Sequence, residues 1–206
     1  MGAIAEYLAH LDDEKFIAEV NKQLAEGVKA LAVLQECQKG MIAVGEKFSE
    51  GEYFVSDLMM AGAIFKEAGE ILTPLLGDAG SEKAGKVIMG TVHGDIHDLG
   101  KDLVVALLSA ANMEVVDLGV DVEPKAFVEA LQSNPDAKVL GLSCLLTTCY
   151  DAIKDTVSAL EEAGLRDKIK IIIGGGSIDQ TVVDYANADG FGTDAQDAVN
   201  IVKELM

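Results

Sequence analysis

The spacing of apolar residues changes partway along the 206-residue chain. Up to about residue 80, apolar side chains recur every three or four positions, which predicts helices. From Lys86 onward, short apolar runs alternate with helical stretches, which predicts strands joined by crossover helices. We therefore expect two domains, at 1–82 and 83–206, connected through the glycine-bearing stretch from Leu75 to Lys86.

The N-terminal domain contains four apolar series at helical spacing. They run over Phe16–Leu24, Val28–Leu34, Met41–Phe48 and Phe54–Leu72. The last is the strongest, because Val55, Met59 and Met60 widen its apolar stripe, and this predicts burial by more than one neighbour. Thr73-Pro74 is expected to end that helix. Four such helices predict a small bundle.

The C-terminal domain contains five strand–helix units. The predicted strands are Val87–Val92, Val115–Leu118, Val139–Leu142, Ile169–Ile173 and Gly190–Gly192, and the predicted helices are Leu99–Ala111, Pro124–Gln132, Thr148–Ala163, Ile178–Ala186 and Ala195–Leu205. This alternation predicts an α/β fold with a five-stranded parallel sheet. In the flavodoxin-like (Rossmann-like) order 2-1-3-4-5, the loops at His93–Leu99, Ser143–Thr147 and Gly174–Ser177 converge at one edge.

Charge and cysteine content exclude several functional classes. With 16 Lys and Arg against 35 Asp and Glu, the formal charge is −19, which disfavours nucleic acids and anionic membrane surfaces as partners. Three cysteines without a CxxC motif make a disulfide scaffold or a zinc module improbable. No stretch has the length of a membrane span, and the acidic N-terminus does not resemble a signal peptide, so we expect a cytoplasmic protein.

The loop after the first strand carries the most chemistry. Asp95 and His97 are two residues apart, so the carboxylate can accept a hydrogen bond from one imidazole nitrogen and leave the other free for a metal. Gly94 and Gly100 remove side chains on either side. Helix-capping acids beside a solvated histidine are an alternative, and His93 with Asp95 and His97 could hold a metal only weakly.

The other two loops are uncharged. Ser143 and Thr147 supply hydroxyl groups, and Gly174-Gly175-Gly176 forms a bare backbone wall, suited to a flat group or a phosphate. A tight turn would also explain one or two of these glycines. The loops lack the paired acids of a phospho-receiver, the hydroxyl-rich phosphate loop of a flavodoxin and the GxGxxG of a dinucleotide site. An uncharged slot with one imidazole suits a large cofactor that brings its own metal.

Three short motifs carry a family resemblance. They are DxHxxG at 95–100, SxL at 143–145 and GG at 174–175. In order, spacing and strand placement, the chain resembles the cobalamin-binding module of cobalamin-dependent methionine synthase, and more closely the free-standing corrinoid proteins of anaerobic methyltransferase systems. VGEKF at 44–48 and GEYF at 51–54 are similar to the helical cap of those proteins. The resemblance covers nearly the whole chain and implies an N-terminal four-helix bundle cap.

The resemblance implies a role for each motif in binding cobalamin or a related corrinoid. His97 would be the lower axial ligand of cobalt, in place of the cofactor's dimethylbenzimidazole, and Asp95 would hydrogen-bond it. The implied cofactor contacts are Gly94, Ile96, Asp98 and Gly100 in the first loop, Ser143, Leu145 and Thr147 along the nucleotide tail, Gly174 and Gly175 against the benzimidazole, and Phe54 with Leu58 or Met59 over the upper face.

One position departs from the family pattern. Six residues after the serine of SxL, members of the family often carry a hydroxyl group, but this chain has Cys149, a weaker donor and acceptor. The proton relay to His97 would then be shortened to Asp95 and water.

The resemblance implies a methyl carrier that is not catalytic alone. Cob(I)alamin would take a methyl group from a substrate-specific barrel methyltransferase, and methylcobalamin, as methyl-Co(III), would pass it to a second methyltransferase acting on tetrahydrofolate or coenzyme M. A reductive activation protein would be a further partner, and the linker at Gly77–Gly85 the expected hinge. The alternatives are a cobalamin sensor or storage module, the cobalamin subunit of an adenosylcobalamin mutase, and a cofactor-free flavodoxin-like interaction domain. Neither the methyl donor nor the oligomeric state can be read from the sequence.

Overall fold

The structure, a computed structural model, describes residues 2–76 and 83–206. The chain forms two compact units. The helical unit comprises Met1–Lys83 with Ala110–Asn112, and the α/β unit comprises Ala84–Ser109 with Met113–Met206. Most of the predicted linker, including Gly77 and Gly80, lies outside the described residues, so its role as a hinge stays a prediction.

Within the described residues, the helical unit contains four helices, but they divide the sequence differently from the prediction. They are α1 (Ala3–Ala9), α2 (Asp13–Ala25), α3 (Ala30–Ser49) and α4 (Val55–Leu76). No apolar series was predicted over α1. The apolar series predicted as a second and a third helix both belong mainly to α3, while Val28 precedes it. The predicted helix boundary between these two series was therefore wrong.

Gly40 lies inside α3, between the two apolar series predicted as separate helices. A Cβ at Gly40 would lie 2.8 Å from the Cβ of Leu8 and 3.0 Å from the carbonyl oxygen of Ala5, both in α1. The glycine therefore lets α1 pack closely against the middle of α3. Ile4 and Leu8 are fully buried in this contact region of the helical unit.

Helix α4 buries one stripe and leaves other apolar residues exposed. Leu58, Ala61, Ala68 and Leu72 are buried, whereas the residues that widen the predicted stripe, Val55, Met59 and Met60, are 39%, 52% and 52% exposed. Phe54 precedes the helix and is 71% exposed, so it does not belong to the core of the helical unit. The predicted end at Thr73-Pro74 was wrong by one turn, because Pro74 lies inside α4.

The α/β unit confirms the predicted sheet. Its strands are β1 (Lys86–Thr91), β2 (Glu114–Asp117), β3 (Val139–Ser143), β4 (Lys170–Gly174) and β5 (Gly190–Gly192), and its helices are α5 (Leu99–Ala110), α6 (Pro124–Ser133), α7 (Tyr150–Glu162), α8 (Gln180–Ala186) and α9 (Ala195–Glu204). All strand pairs are parallel, in the order β2-β1-β3-β4-β5. The fold is α/β with the flavodoxin-like order.

The strand register brings together the three loops that carry the candidate site residues. Thr91 at the end of β1 pairs with Ser143 at the end of β3, and Ser143 pairs with Gly174 at the end of β4. These three residues form one row across the carboxyl edge of the sheet. The loops that follow them are therefore neighbours, as the flavodoxin-like order requires. Among residues 2–76 and 83–206, no helix has the length and apolar character to cross a membrane.

Candidate functional site

Asp95 is the centre of the hydrogen-bond network at this edge. The residue is fully buried. Its Oδ1 accepts hydrogen bonds from the backbone N–H of His97 at 3.0 Å and from the His97 ring at 2.7 Å. Its Oδ2 accepts from the backbone N–H groups of Leu145 at 2.7 Å and Leu146 at 3.0 Å. The carboxylate thus joins the loops after β1 and β3.

These contacts indicate which ring nitrogen of His97 carries a proton. Burial raises the pKa of Asp95, but the backbone N–H of Leu146 and the N–H groups of His97 and Leu145 lower it, to about 2. An ionised carboxylate can only accept hydrogen bonds, so the ring nitrogen facing it, Nδ1, must carry a proton. In the neutral imidazole, Nε2 then has a free lone pair. The His97 side chain is 49% exposed, and within the described residues no hydrogen bond engages Nε2.

Two further hydrogen bonds hold the backbone of Leu145 and Leu146, whose N–H groups donate to Asp95. The Cys144 thiol donates to the carbonyl oxygen of Leu146 at 3.3 Å, and the Ser177 hydroxyl donates to that of Leu145 at 2.7 Å. Burial, together with the nearby charge of Asp95, raises the pKa of Cys144 to about 12, so the thiol keeps its proton. The loops after β3 and β4 therefore form a rigid support for the carboxylate.

The predicted nucleotide-tail residues lie on the loop after β3. Leu145 is 41% exposed, Ser143 is half-buried and Thr147 is exposed. Among the described residues, no partner bonds to the hydroxyl groups of Ser143 and Thr147. Both groups are therefore available to a ligand, which is what the sequence prediction requires of them.

The four glycines predicted to contact the cofactor differ in backbone conformation and in the space around an added Cβ. Gly94 has φ +82°, and an added Cβ would lie 3.3 Å from the Cys149 sulfur. Gly175 has φ +143°, and its Cβ would lie 1.9 Å from the Cys144 carbonyl oxygen, so packing within the protein alone requires this glycine. Cβ atoms at Gly100 and Gly174 would meet nothing within 4 Å. Only these last two leave open space for a ligand.

The remaining predicted contacts are exposed. Ile96 is 70% exposed and Leu99 50%, and Asp98 is exposed at the start of α5, where its carbonyl oxygen accepts from the N–H of Asp102. In the helical unit, Phe54 and Met59 are also exposed. Large apolar side chains in these positions are available for contact with a ligand or a partner.

His93 does not join Asp95 and His97 in a metal site. Its ring lies 2.9 Å from the carboxylate of Asp121 and 3.2 Å from that of Glu123, and it is 52% exposed. Within residues 2–76 and 83–206, no group of three His, Cys, Asp or Glu side chains is arranged to hold a metal ion. His93 is thus a surface residue, apart from the Asp95–His97 pair.

Sequence reasoning missed two participants. The backbone N–H of Leu146 is one of the four donors to Asp95, and a main-chain donor leaves no mark in the sequence. The carboxylate of Asp121, in the loop after β2, accepts from the N–H of Gly94 at 2.7 Å. The predicted strand order already placed β2 beside β1, so a search of its loop for polar residues would have found Asp121.

The hydrogen bonds of Cys149 and Asp95 bear on the expected relay through Asp95 and water, which stays a prediction. Cys149 is buried, and the only hydrogen bond found for its sulfur within the described residues is with the hydroxyl of Thr148, at 3.9 Å. The four donors to Asp95 engage both of its carboxylate oxygens. The network therefore ends at the backbone of the β3 loop.

Comparison with known proteins identifies the family. Residues 85–200 match the B12 binding domain, and residues 2–73 match a second family described as a B12 binding domain. The chain belongs to the B12-binding domain family. Its cofactor is cobalamin or a related corrinoid.

Relatives of this B12-binding protein share both of its units. It is 37% identical over 94% of its length to a corrinoid protein of Desulfitobacterium hafniense, covering 92% of that protein. It is also 37% identical over 94% of its length to trimethylamine corrinoid protein 2 of Methanosarcina mazei, covering 90% of it.

Solved structures agree with the fold of this B12-binding protein. A cobalamin-binding protein from Desulfitobacterium hafniense aligns with a TM-score of 0.81 at 36% identity, over 99% of this chain and 97% of that one. A chain of the methanol:cobalamin methyltransferase complex from Methanosarcina barkeri aligns with a TM-score of 0.85 at 29% identity, over 98% of this chain and 77% of that one.

The residues of the B12-binding protein fit a corrinoid. A single imidazole nitrogen with a free lone pair suits a metal that arrives with its other ligands in place. Open space at Gly100 and Gly174 allows a bulky group to approach the backbone. Exposed apolar side chains on the same loops, Ile96 and Leu145 among them, can contact a macrocycle.

Proposed function

We propose that the protein carries a methyl group between two methyltransferases. A substrate-specific barrel methyltransferase would supply the methyl group, and a second enzyme would move it to tetrahydrofolate or coenzyme M. The relatives named as a trimethylamine corrinoid protein and as part of a methanol:cobalamin methyltransferase complex support this proposal. The bound corrinoid would supply a cobalt centre that is nucleophilic when reduced and can release the methyl group afterwards.

The observation that carries the proposal is the state of His97. Its ring is held through Nδ1 by the buried carboxylate of Asp95 and is about half exposed, which leaves the lone pair of Nε2 free. This geometry would place His97 below the corrin as the lower ligand. A carboxylate behind a ligating histidine raises its basicity and fixes its orientation. The protein thereby tunes the metal without providing the chemistry itself.

Other residues would hold the rest of the cofactor. Ser143 and Thr147 would donate to its polar tail, Leu145 would contact the apolar part, and Gly174 would leave room for the benzimidazole. Gly94, Ile96, Asp98 and Gly100 would surround His97, with Gly175 as a structural neighbour of the tail site. From the helical unit, Phe54 and Met59 would contribute apolar contacts.

The proposal is tested by reconstitution. The protein is loaded with hydroxocobalamin, reduced under anaerobic conditions, and mixed with barrel methyltransferases and their donors, beginning with methylated amines and methanol. We expect the visible absorption to change from that of the reduced corrinoid to that of the methylated one only with a matched enzyme and donor. Free hydroxocobalamin with the same enzymes is the control for reaction away from the protein.

Several outcomes would reject the proposal. A protein that stays colourless after loading would indicate a cofactor-free interaction domain. Loaded protein that shifts DNA in electrophoresis would indicate a sensor, and radical rearrangement activity with a supplied barrel subunit would indicate a mutase subunit. Methylation without any partner enzyme, at the rate of the free cofactor, would also contradict a dedicated carrier.

A further inference from the structure

The loop after β2, from Leu118 to Glu123, is bonded to the chain that leads to His97. The N–H of Thr91 donates to the carbonyl oxygen of Gly119 at 2.9 Å, and the N–H of Val122 donates to that of Thr91 at 3.0 Å. Val92 and Val122 also form an isolated parallel bridge. This loop therefore extends the β1–β2 pairing up to the site, although it contains none of the family motifs.

Asp121 makes the most specific contacts of this loop. Its carboxylate accepts from the N–H of Gly94 at 2.7 Å, and its own N–H donates to the carbonyl oxygen of Asp95 at 2.9 Å. The two hydrogen bonds hold the Gly94–Asp95 segment at both ends. Asp121 can do this because its backbone lies in the left-handed region, with φ +53°, which aspartate tolerates better than most residues.

This contact is important because Gly94 is the flexible point of the segment. Gly94 has φ +82°, and a glycine has many alternative conformations. Every other polar atom of Asp95 is already bonded, since its N–H donates to the Val92 carbonyl oxygen at 3.1 Å and its side chain accepts four hydrogen bonds. A rotation at Gly94 would turn the carboxylate away from the His97 ring.

We propose that Asp121 is a positioning residue for His97. By fixing the Gly94–Asp95 segment, it keeps the Asp95 carboxylate on Nδ1 of His97 and so keeps the lone pair on Nε2. The statement about the tautomer concerns the protein alone, while its consequence for cobalt ligation rests on the proposed function. Asp121 is about half exposed, so its loss affects the orientation of the segment more than the stability of the fold.

Two substitutions separate the side chain from the backbone. Asp121→Gly removes the carboxylate and tolerates the left-handed backbone. Asp121→Asn keeps an acceptor oxygen for the Gly94 N–H and also tolerates this backbone. Glu123→Gln is the matched control, because Glu123 is in the same loop and contacts His93 but not Gly94. Thermal unfolding of all three variants should stay close to that of the wild type.

The first readout is the tautomer of His97 in the corrinoid-free protein. The chain has only three histidines, so nitrogen-15 NMR of the rings can be assigned with single substitutions. We expect the Nδ1–H tautomer in the wild type, in Asp121→Asn and in Glu123→Gln, and a mixture of tautomers in Asp121→Gly. A second readout is hydrogen exchange of the Gly94 amide, which we expect to be slow in the wild type.

The third readout is the affinity for hydroxocobalamin together with the visible spectrum of the loaded protein. We expect Asp121→Gly to bind hydroxocobalamin about tenfold more weakly, with a larger fraction lacking the histidine lower ligand in its visible spectrum. Asp121→Asn should restore both properties.

Three results would overturn the proposal: an unchanged His97 tautomer in Asp121→Gly, an equal effect of Glu123→Gln, or a Gly94 amide that exchanges in the wild type as fast as a free loop amide. If the tautomer responds as expected but even the wild type takes up no corrinoid, the proposed function fails and the positioning role stands.

Discussion

One oxygen atom of Asp95 holds His97 at two places. Oδ1 lies 2.7 Å from the ring nitrogen Nδ1 and 3.0 Å from the backbone nitrogen of the same histidine. The ring and the main chain of His97 are therefore fixed relative to each other, which restricts rotation about its side-chain bonds. A histidine that presents Nε2 in one direction loses less conformational entropy when it binds a metal.

The first prediction concerns the ligand itself. His97→Ala should still fold, because the side chain is half exposed, but the loaded protein should lack the spectrum of a nitrogen lower ligand at neutral pH. His93→Ala is the matched control, since His93 lies in the same loop and, within the described part of the chain, pairs only with Asp121 and Glu123. An unchanged lower-ligand spectrum in His97→Ala would show that His97 is not the ligand.

The second prediction concerns the carboxylate. In Asp95→Asn, an amide replaces one of two oxygens that each accept two hydrogen bonds, so two donors lose their acceptor in a buried place. The free energy of unfolding should fall by about 1–3 kcal/mol, and corrinoid affinity by about 10- to 100-fold. Chemical denaturation and a binding titration measure the two effects. Glu123→Gln, at a position whose side chain is 65% exposed and that has no contact with Asp95, should leave both unchanged.

The third prediction follows from the pKa of Asp95. It is lowered from 3.8 to about 2 in the folded protein, so the ionised carboxylate stabilises the fold by about 2 kcal/mol above the unfolded pKa. This contribution is lost as the pH falls from about 4 towards 2. The difference in unfolding free energy between wild type and Asp95→Asn should be constant above about pH 5 and shrink below pH 4. A difference that does not change with pH would contradict the assigned pKa.

The fourth prediction separates two adjacent glycines. Gly175→Ala would place a methyl group 1.9 Å from the Cys144 carbonyl oxygen at φ +143°, so it should cost about 2–5 kcal/mol of stability. Gly174→Ala meets nothing within 4 Å and should unfold within about 1 kcal/mol of the wild type. Binding titrations should show weaker corrinoid affinity for Gly174→Ala. Wild-type affinity in that variant would remove Gly174 from the site.

The fifth prediction separates core from surface in the helical unit. Leu58 is 2% exposed, and Leu58→Ala should lower stability by about 2–5 kcal/mol. Phe54 is 71% exposed, so Phe54→Ala should change stability by less than about 0.5 kcal/mol. If Phe54 contacts the corrinoid, iodomethane should methylate the reduced, loaded Phe54→Ala protein faster than the wild type. Equal rates would argue against that contact.

Much of the fold could be predicted because its signals are local. The strands of a parallel sheet are buried on both faces, so they read as continuous apolar runs, and Pro124 at the first position of α6 and Gly164 after α7, with φ +66°, delimit the helices. Helix α1 was missed because its seven residues give only two turns of pattern. The single helix α3 was predicted as two, and the reason for its Gly40, the close approach of Leu8, is tertiary.

The candidate site likewise has a local part, which the sequence predicts, and a tertiary part, which it does not. The motif residues Asp95 and His97 could be paired from their spacing alone. The donors from Leu145 and Leu146 could not, because they are main-chain groups of a loop 50 or more positions away in the sequence. Asp121 is 27 positions from Gly94, and only the strand order indicates that the two loops are neighbours.

The hydrogen bonds that Asp95 already accepts restrict how the Asp95–His97 pair can exchange a proton with solvent. Its two oxygens already receive four hydrogen bonds, and the residue is closed to solvent. The pair can therefore exchange a proton with water only through Nε2 of His97, the same atom that would bind cobalt. If His97 ligates cobalt, a proton and the metal would compete for the one lone pair of Nε2, so a more acidic medium should increase the fraction of protein whose lower ligand is detached.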